Sequence, residues 1–180
     1  MTAEATEAAA AFAAERPDVT RSRTLTWQDP VASLAEGVGL SGLEYMHAIR
    51  AGRIPPPPIA VTLNMSMAEV EEGRAVFDGQ PGEEHYNPIG VVHGGYAATL
   101  LDSALGCAVH STLAAGDAYT TLSLETKFVR PIAGGRRVRA EAEVVHRGRR
   151  QATAAARLTD LESGKLLAHA TTTCMIMQAP

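Results

Sequence analysis

The sequence is poor in cysteine and in aromatic residues, and it has no long uncharged apolar run. Its two cysteines, Cys107 and Cys174, lie in apolar periodic segments, so we expect two buried thiols in a reducing compartment. No uncharged stretch approaches the ~20 apolar residues of a transmembrane helix. Residues 1–17 are rich in Ala and Glu and lack the pattern of a signal peptide, which predicts a frayed helix or a disordered tail. We therefore expect a cytoplasmic protein with no membrane partner.

The chain also lacks a basic excess and several well-known catalytic motifs. Lys and Arg number 16 against 20 Asp and Glu, a net charge of −4, so no nucleic-acid partner is expected. There is no serine nucleophile elbow, no dinucleotide-binding glycine motif and no phosphate-binding loop. The histidines outside the central motif show no metal-ligand spacing with one another or with the cysteines. We expect neither a metal nor a cofactor.

A run of four prolines divides the chain. At 180 residues, one domain with an extension is the natural size interpretation. Pro55–Pro58 predicts a stiff spacer between an N-terminal extension, residues 1–58, and a main domain, residues 59–180.

Two short helices are predicted within the extension. Asp29 followed by Pro30 has the form of an N-cap with proline at the first helical position, opening a helix to Glu36. Ser41 caps a second amphipathic segment, Gly42–Ala51.

The main domain reads as strands around one helix. Two strand-like segments, at 59–67 and 74–78, precede the helix, and four strand-like segments follow it. Short glycine-containing turns imply antiparallel neighbours, and a helix covering one face of such a sheet is an α+β arrangement. The predicted apolar faces are Ile59, Val61, Leu63, Met65 and Met67; Leu122, Leu124 and Phe128; Val138, Ala140, Ala142 and Val144; Ala152, Ala154, Ala156 and Leu158; and Leu166, Ala168, Ala170, Cys174 and Ile176.

The segment from Asn87 to His110 contains the strongest helix signal and the candidate chemistry. Its apolar face is formed by Ala97, Leu101, Ala104, Leu105 and Ala108. Gly94 and Gly95 stand where the helix would begin, so a ligand could closely approach free N–H groups with partial positive charge.

Asp102 is the only carboxylate of that helix. At 100° per residue it lies about 115° from the centre of the apolar stripe, so it flanks the core. Asp102 follows Gly94 by eight residues, which is roughly 12 Å along the axis. One small carbonyl cannot contact both the helix start at Gly94 and the Asp102 carboxylate of the same chain. If both act on one substrate, the second group comes from another copy, which predicts an isologous dimer.

The string Asn87-x-x-Gly90-x-x-His93-Gly94-Gly95, with Asp102 nine residues after His93, resembles the hotdog-fold acyl-CoA thioesterases of the phenylacetate-degradation (PaaI-like) type. The resemblance continues through Thr120–Pro131 and Val145–Gly148 and covers roughly residues 59–178. It implies a hotdog fold, in which an antiparallel sheet wraps one long central helix. It also implies a homo-oligomer, either a dimer or a dimer of dimers, and an acyl-CoA substrate whose coenzyme A is the only nucleotide involved.

The resemblance also implies roles for residues of the motif. The Gly94 N–H would donate to the thioester carbonyl, with Asn87 adding a side-chain donor or fixing the attacking water. His93 would hold the loop or contact the substrate. Asp102 of a second copy would activate water as a general base or attack directly as a nucleophile, and these alternatives stay open.

A hydroxyl often assists the carboxylate in this family, and Thr121 matches its position. Strict strand alternation, however, places Thr121 on the polar face with Ser123, which leaves Thr120 as the fallback.

Substrate-binding residues are also implied. Val92 and Gly95 would lie against the substrate, and Arg149 and Arg130 would approach the coenzyme A phosphates. Two basic clusters could serve there, since arginine suits phosphate: they are Arg136, Arg137 and Arg139, and Arg147, Arg149 and Arg150. The alternative for both clusters is solvated hairpin charge.

Three functions remain open at this stage. The first is a hydrolase of an aryl- or short- to medium-chain acyl-CoA. The second is a non-catalytic acyl-CoA-binding or interaction module, against which Asp102 argues, because a binder needs no base beside the carbonyl. The third is a hydratase or dehydratase, whose typical acid–base spacing is absent around this helix. The extension would pack beside the acyl pocket or act as a packing arm.

Overall fold

The computed structural model describes residues 20–178, and its main feature is a six-stranded antiparallel sheet. The strands are β1 (Met65–Glu71), β2 (Arg74–Gly79), β3 (Asp117–Phe128), β4 (Val138–Arg147), β5 (Gln151–Asp160) and β6 (Leu166–Gln178). Their order across the sheet is β1-β2-β4-β5-β6-β3. The predicted antiparallel neighbours are confirmed, and β1 and β3 form the two edges.

Four helices accompany the sheet in the described part of the chain. They are α1 (Pro30–Glu36), α2 (Gly42–Arg50), α3 (Pro58–Thr62) and α4 (Gly94–His110). No described helix is both long enough and apolar enough to cross a membrane.

The core lies between α4 and the concave face of the sheet. The predicted helix face is confirmed, with Leu101, Leu105 and Ala104 fully buried. The alternating positions of β4 and β5 are mostly small, and Ala140, Ala142 and Ala152 are fully buried beneath the helix. Small side chains let the helix axis approach the sheet closely, so the fold packs to high density with few aromatic residues. This arrangement confirms the predicted α+β hotdog architecture.

The strand predicted from residue 59 is wrong at its start. Residues Pro58–Thr62 form α3, and β1 begins only at Met65. Proline at the first helical position favours the helix there. Asn64, with φ of 47°, then redirects the chain into the strand. The alternation at 59–63 is therefore not that of a strand.

A bulge in β3 overturns the predicted alternation of that strand. Its pairing with β6 shifts register between Thr121 and Ser123. Leu124 packs against the core and Phe128 shares its face at the open end of the strand, whereas Leu122 lies on the other face and is 53% exposed. An extra residue in one strand exchanges the faces of all residues beyond it. A smaller irregularity near the start of β6 buries Leu167 where Leu166 was predicted.

The extension forms the two predicted helices. Asp29 accepts the Val31 N–H at the start of α1, and Ser41 forms a full capping box with Glu44 at the start of α2. The α2 helix packs against β1 and α4. Residues 1–17, predicted as a frayed helix or a disordered tail, lie outside the described residues. The division into 1–58 and 59–180 stays a prediction.

Gly42 permits the contact between α2 and α4. Its N–H donates to the Leu113 carbonyl at 3.0 Å, and a Cβ there would lie 1.7 Å from the His110 carbonyl oxygen. We expect Gly42→Ala to force the helices apart and lower stability by about 2 kcal/mol, after any gain in helix propensity. For a chain of this size that lowers the thermal midpoint by roughly 4–8 °C.

His47→Ala is the matched control, because His47 is exposed on the same helix. Its midpoint should stay close to that of the wild type. An unchanged midpoint in Gly42→Ala would show that α2 does not rest on α4 in solution.

Candidate active site

The loop that leads into α4 is folded by Asn87. Its Oδ1 accepts the backbone N–H groups of Ile89 and Val91 at 3.1 and 3.2 Å. The Gly90 N–H donates to the Asn87 carbonyl at 3.0 Å, and Gly90 has φ of +80°, which favours glycine. Because the loop occupies Oδ1 twice, Nδ2 is the side-chain donor left for a ligand. It has no acceptor within residues 20–178.

His93 is the N-cap of α4. Its Nδ1 accepts the Gly95 N–H at 2.8 Å, so that ring nitrogen carries no proton. The His93 N–H donates to the His85 carbonyl at 2.8 Å, which ties the cap to the preceding loop. The Gly94 N–H, by contrast, has no acceptor in the part of the chain the structure describes. Gly94 therefore provides the available donor at this helix end, and Gly95 does not.

A cavity of about 310 Å³ opens beside Gly94. It is lined by the predicted Val92 and Arg130, and by Phe128, which the sequence pattern had assigned to the buried face. A Cβ on Gly94 would lie 3.2 Å from the Phe128 ring. Arg130 Nη1 donates to the Leu166 carbonyl at 2.7 Å, which fixes the guanidinium at the rim. The sequence pattern gave Phe128 the same face as Leu124, but it could not indicate the contact with Gly94, because that contact joins the end of β3 to the start of α4.

Asp102 lies on the flank of α4, half-buried as predicted. Thr121 Oγ1 donates to Asp102 Oδ1 at 3.3 Å. The alternation argument against Thr121 is thus wrong: ahead of the bulge, Thr121 faces the helix and Thr120 is exposed. One carboxylate oxygen is held by Thr121, and the other has no protein donor among the described residues.

Cys107 and Cys174 lie close enough to Asp102 to feel its charge, but neither is an activated nucleophile. Burial raises the pKa of the Cys107 thiol to about 12, and the Asp102 charge adds to the shift. Burial also raises the pKa of Cys174, which is fully buried. Both are neutral thiols. The prediction of burial is confirmed for Cys174, whereas Cys107 is only partly buried.

The two groups of the site are separated along one helix. Gly94 and Asp102 lie eight residues apart on α4, or about 12 Å along its axis. Within one subunit, the free N–H and the carboxylate cannot contact the same carbonyl. The described chain alone therefore carries two parts of a site rather than one complete site.

The basic clusters differ in their surroundings. Arg136 pairs with Asp160 at 2.9 Å, and Arg139 pairs with Asp78 at 2.7 Å. Arg137 also lies 3.6 Å from Asp78. All three arginines of this cluster are thus engaged in ion pairs within the fold.

The second cluster surrounds the β4–β5 turn. Arg149 and Arg150 line a separate cavity of about 840 Å³ together with His146. Neither arginine has a carboxylate partner within residues 20–178. The structure does not place Arg149 in the cavity beside Gly94.

Comparison with known proteins identifies the family of this chain. A family model described as the thioesterase superfamily matches residues 89–167. The crystal structure of a phenylacetic acid degradation-related protein from Ralstonia eutropha JMP134 is similar to this chain, with a TM-score of 0.67 and a sequence identity of 33%. The alignment covers 73% of this chain and 98% of that chain. The chain belongs to the thioesterase superfamily.

Further relatives of this thioesterase agree with that assignment. The PaaI protein from Thermus thermophilus, solved as a mutant, is 31% identical with a TM-score of 0.61, covering 66% of this chain and 98% of that chain. Human acyl-coenzyme A thioesterase 13 is 28% identical over 104 residues, which is 58% of this chain and 74% of the human protein. The predicted PaaI-like family and the prediction of a thioester hydrolase are confirmed.

Proposed function

We propose that this thioesterase hydrolyses acyl-CoA thioesters at composite sites formed by two copies of the chain. The observation that carries the proposal is the Gly94 N–H at the start of α4, which no group of the described residues 20–178 accepts and which opens to a cavity, with the Asp102 carboxylate out of its reach on the same helix. The human relative named as an acyl-coenzyme A thioesterase supports the substrate class.

Gly94 and Asn87 of one copy form the oxyanion hole. The Gly94 N–H lies at the positive end of a helix of 17 residues, and Asn87 Nδ2 is the second donor. A thioester carbonyl gains full negative charge in the tetrahedral intermediate, so these donors bind it more strongly than the substrate. One such donor typically contributes about 3–4 kcal/mol to lowering the barrier. His93 positions Gly94 by capping the helix.

Asp102 of the second copy is the general base. It takes a proton from water as the water oxygen attacks the carbonyl carbon. The C–S bond then breaks, and the proton passes to the departing thiolate, giving the free acid and coenzyme A. Thr121 donates to one carboxylate oxygen and leaves the other for water. The neighbouring neutral thiols add no competing charge.

The edge of the sheet offers a way to join two copies. β3 is an edge strand of 12 residues, and its outer backbone groups have no strand partner among the described residues. A long open edge readily pairs with another strand. Pairing β3 with its own copy makes an isologous dimer with two equivalent composite sites.

Arg149 and Arg150 are the proposed phosphate ligands. Both are exposed around their cavity at the β4–β5 turn and keep their donors free of carboxylates in the described chain. Arginine binds phosphate through two parallel hydrogen bonds, so this cavity suits the nucleotide end of coenzyme A.

A mixing experiment tests the composite site. Asp102→Asn and Gly94→Pro subunits, each nearly inactive alone, are combined and allowed to exchange. Half of the random dimers then contain both variants, and each of those has one intact site, so about a quarter of wild-type thiol release should return.

Mixing each variant with itself under the same exchange conditions is the control. A mixture that stays as inactive as its components, although exchange is verified by mass spectrometry, would rule out a site shared between copies.

A further inference from the structure

The extension and the main domain enclose a cavity of about 770 Å³. One wall is formed by residues 23–26, α2 and Pro55–Pro57. The opposite wall is formed by β1, by Tyr119 of β3, and by the C-terminal part of α4. The cavity thus lies between the two edge strands of the curved sheet, where the extension covers α4.

This cavity begins close to the proposed base. Cys107, which lines it, follows Asp102 by five residues, or about 7.5 Å along the helix axis. Gly106 lies between them, and a Cβ there would be 2.4 Å from the Tyr119 hydroxyl. Tyr119 can pack on the helix one turn beyond Asp102 because residue 106 has no side chain. The cavity wall therefore begins less than two turns of α4 beyond the proposed base.

Three aromatic side chains with polar groups meet on the cavity wall. The His110 ring lies 5.7 Å from the Tyr45 ring and 5.5 Å from the Tyr119 ring, between centroids. Burial lowers the pKa of His110 and raises the pKa of both tyrosines, so all three are neutral near pH 7.

These polar groups have no partners of their own. Neither hydroxyl and neither imidazole nitrogen forms a hydrogen bond within residues 20–178. Their polar atoms are open to the cavity, since none belongs to the fully buried side-chain atoms that lack a hydrogen-bond partner in the described chain. Removing water from such an atom without a replacement hydrogen bond costs about 1–3 kcal/mol. A wholly apolar ligand would displace water from these groups and form no hydrogen bonds with them.

We propose that this cavity binds the distal part of the acyl group and selects a medium-length chain that ends in a hydroxyl. The inference rests on the proposed function for the position of the thioester. Tyr45, His110 and Tyr119 offer donors and an acceptor to that hydroxyl. The path from Asp102 to His110 is eight residues, or about 12 Å, which an extended chain of roughly eight to ten carbons spans, because C–C bonds of ~1.5 Å advance it by about 1.25 Å each.

Matched substrates test the polar end of the cavity. The kcat/KM for 8-hydroxyoctanoyl-CoA should exceed that for octanoyl-CoA by at least about tenfold. Tyr119→Phe and Tyr45→Phe each remove one hydroxyl without changing the ring. Each should bring the ratio towards one while the octanoyl-CoA rate stays within about threefold of wild type. A wild-type ratio near one, or a ratio that neither variant changes, would overturn the inference.

A cavity-filling variant tests the location. Ser66 is an exposed residue of β1 on the cavity wall, so Ser66→Trp fills space without displacing the core. Octanoyl-CoA hydrolysis should fall at least about tenfold, with propionyl-CoA hydrolysis unchanged, because only the longer chain enters the cavity. Equal effects on both substrates would place the chain elsewhere.

Binding measurements separate this inference from the proposed function. S-octyl-CoA and S-(8-hydroxyoctyl)-CoA are thioethers that cannot be hydrolysed, and their affinities can be measured by calorimetry on the wild-type protein. If no acyl-CoA is hydrolysed but the hydroxylated thioether binds at least about tenfold more tightly, the hydrolase proposal fails and the cavity assignment stands. Equal binding of both thioethers, or binding of neither, overturns the cavity assignment.

Discussion

Asp102→Asn should reduce the kcat for thiol release from acyl-CoA by at least about a hundredfold, with little change in KM. An amide cannot accept a proton from water near neutral pH, and a positioned general base contributes about 10²–10⁴-fold. Asparagine has the shape of aspartate and keeps an oxygen to accept the Thr121 hydroxyl, so the fold should be retained. Free-thiol release measured across a panel of acyl chain lengths gives both kinetic constants.

Ser103→Ala, at the next position of α4, is the matched control and should stay close to wild-type activity. Retention of more than about a tenth of wild-type kcat in Asp102→Asn would remove Asp102 from the role of base.

Mass spectrometry of an acid-quenched single turnover tests the alternative that Asp102 attacks the thioester directly. An acyl adduct on Asp102 would make it a nucleophile instead.

Gly94→Pro should reduce kcat by about 10²–10³-fold, the usual effect of removing one oxyanion donor. Proline lacks the N–H but is well suited to the first position of a helix, and the extended backbone of His93, with φ of −62° and ψ of 137°, fits a residue before proline. The helix and its cap at Gly95 should therefore survive while the donor is lost. Circular dichroism verifies the helix, and thiol release measures kcat.

Gly94→Ala distinguishes the loss of the N–H donor from steric crowding at residue 94. Its Cβ would approach Phe128 to 3.2 Å, as the proline ring also would, but alanine keeps the N–H. Phe128 is 59% exposed and can move, so we expect at most about a tenfold loss in the alanine variant. If alanine is as damaging as proline, crowding explains the loss and Gly94 is not the oxyanion donor.

The helix at the centre of the fold was predictable because its signals are local. The apolar face led by Leu101 and the glycines at the start of α4 both follow from spacing within one segment. The same holds for β4 and β5, whose alternating small residues appear directly in the core. The position of Asp102 on the helix flank required only the helical period. The candidate groups of the proposed site were therefore visible in one stretch of sequence.

Contacts between distant parts of the chain were not predictable in this way. The bulge opposite β6 turned Thr121 towards Asp102, which strict alternation predicted wrongly, and the packing of the end of β3 on α4 brought Phe128 beside Gly94. Residues 59–62 alternate like a strand, but Pro58 starts a helix there. The cavity under the extension brings Tyr45 and Tyr119 together across more than seventy residues of sequence.

Local periodicity fixes the type of an element and the face its residues share. It was enough to define the central helix, the small-residue strands and the position of Asp102. The register between strands, and the residues that face a cavity, are set by packing between segments that no local pattern records. The side chains that surround the helix and its carboxylate were therefore known only from the folded chain, because their contacts join segments far apart in sequence.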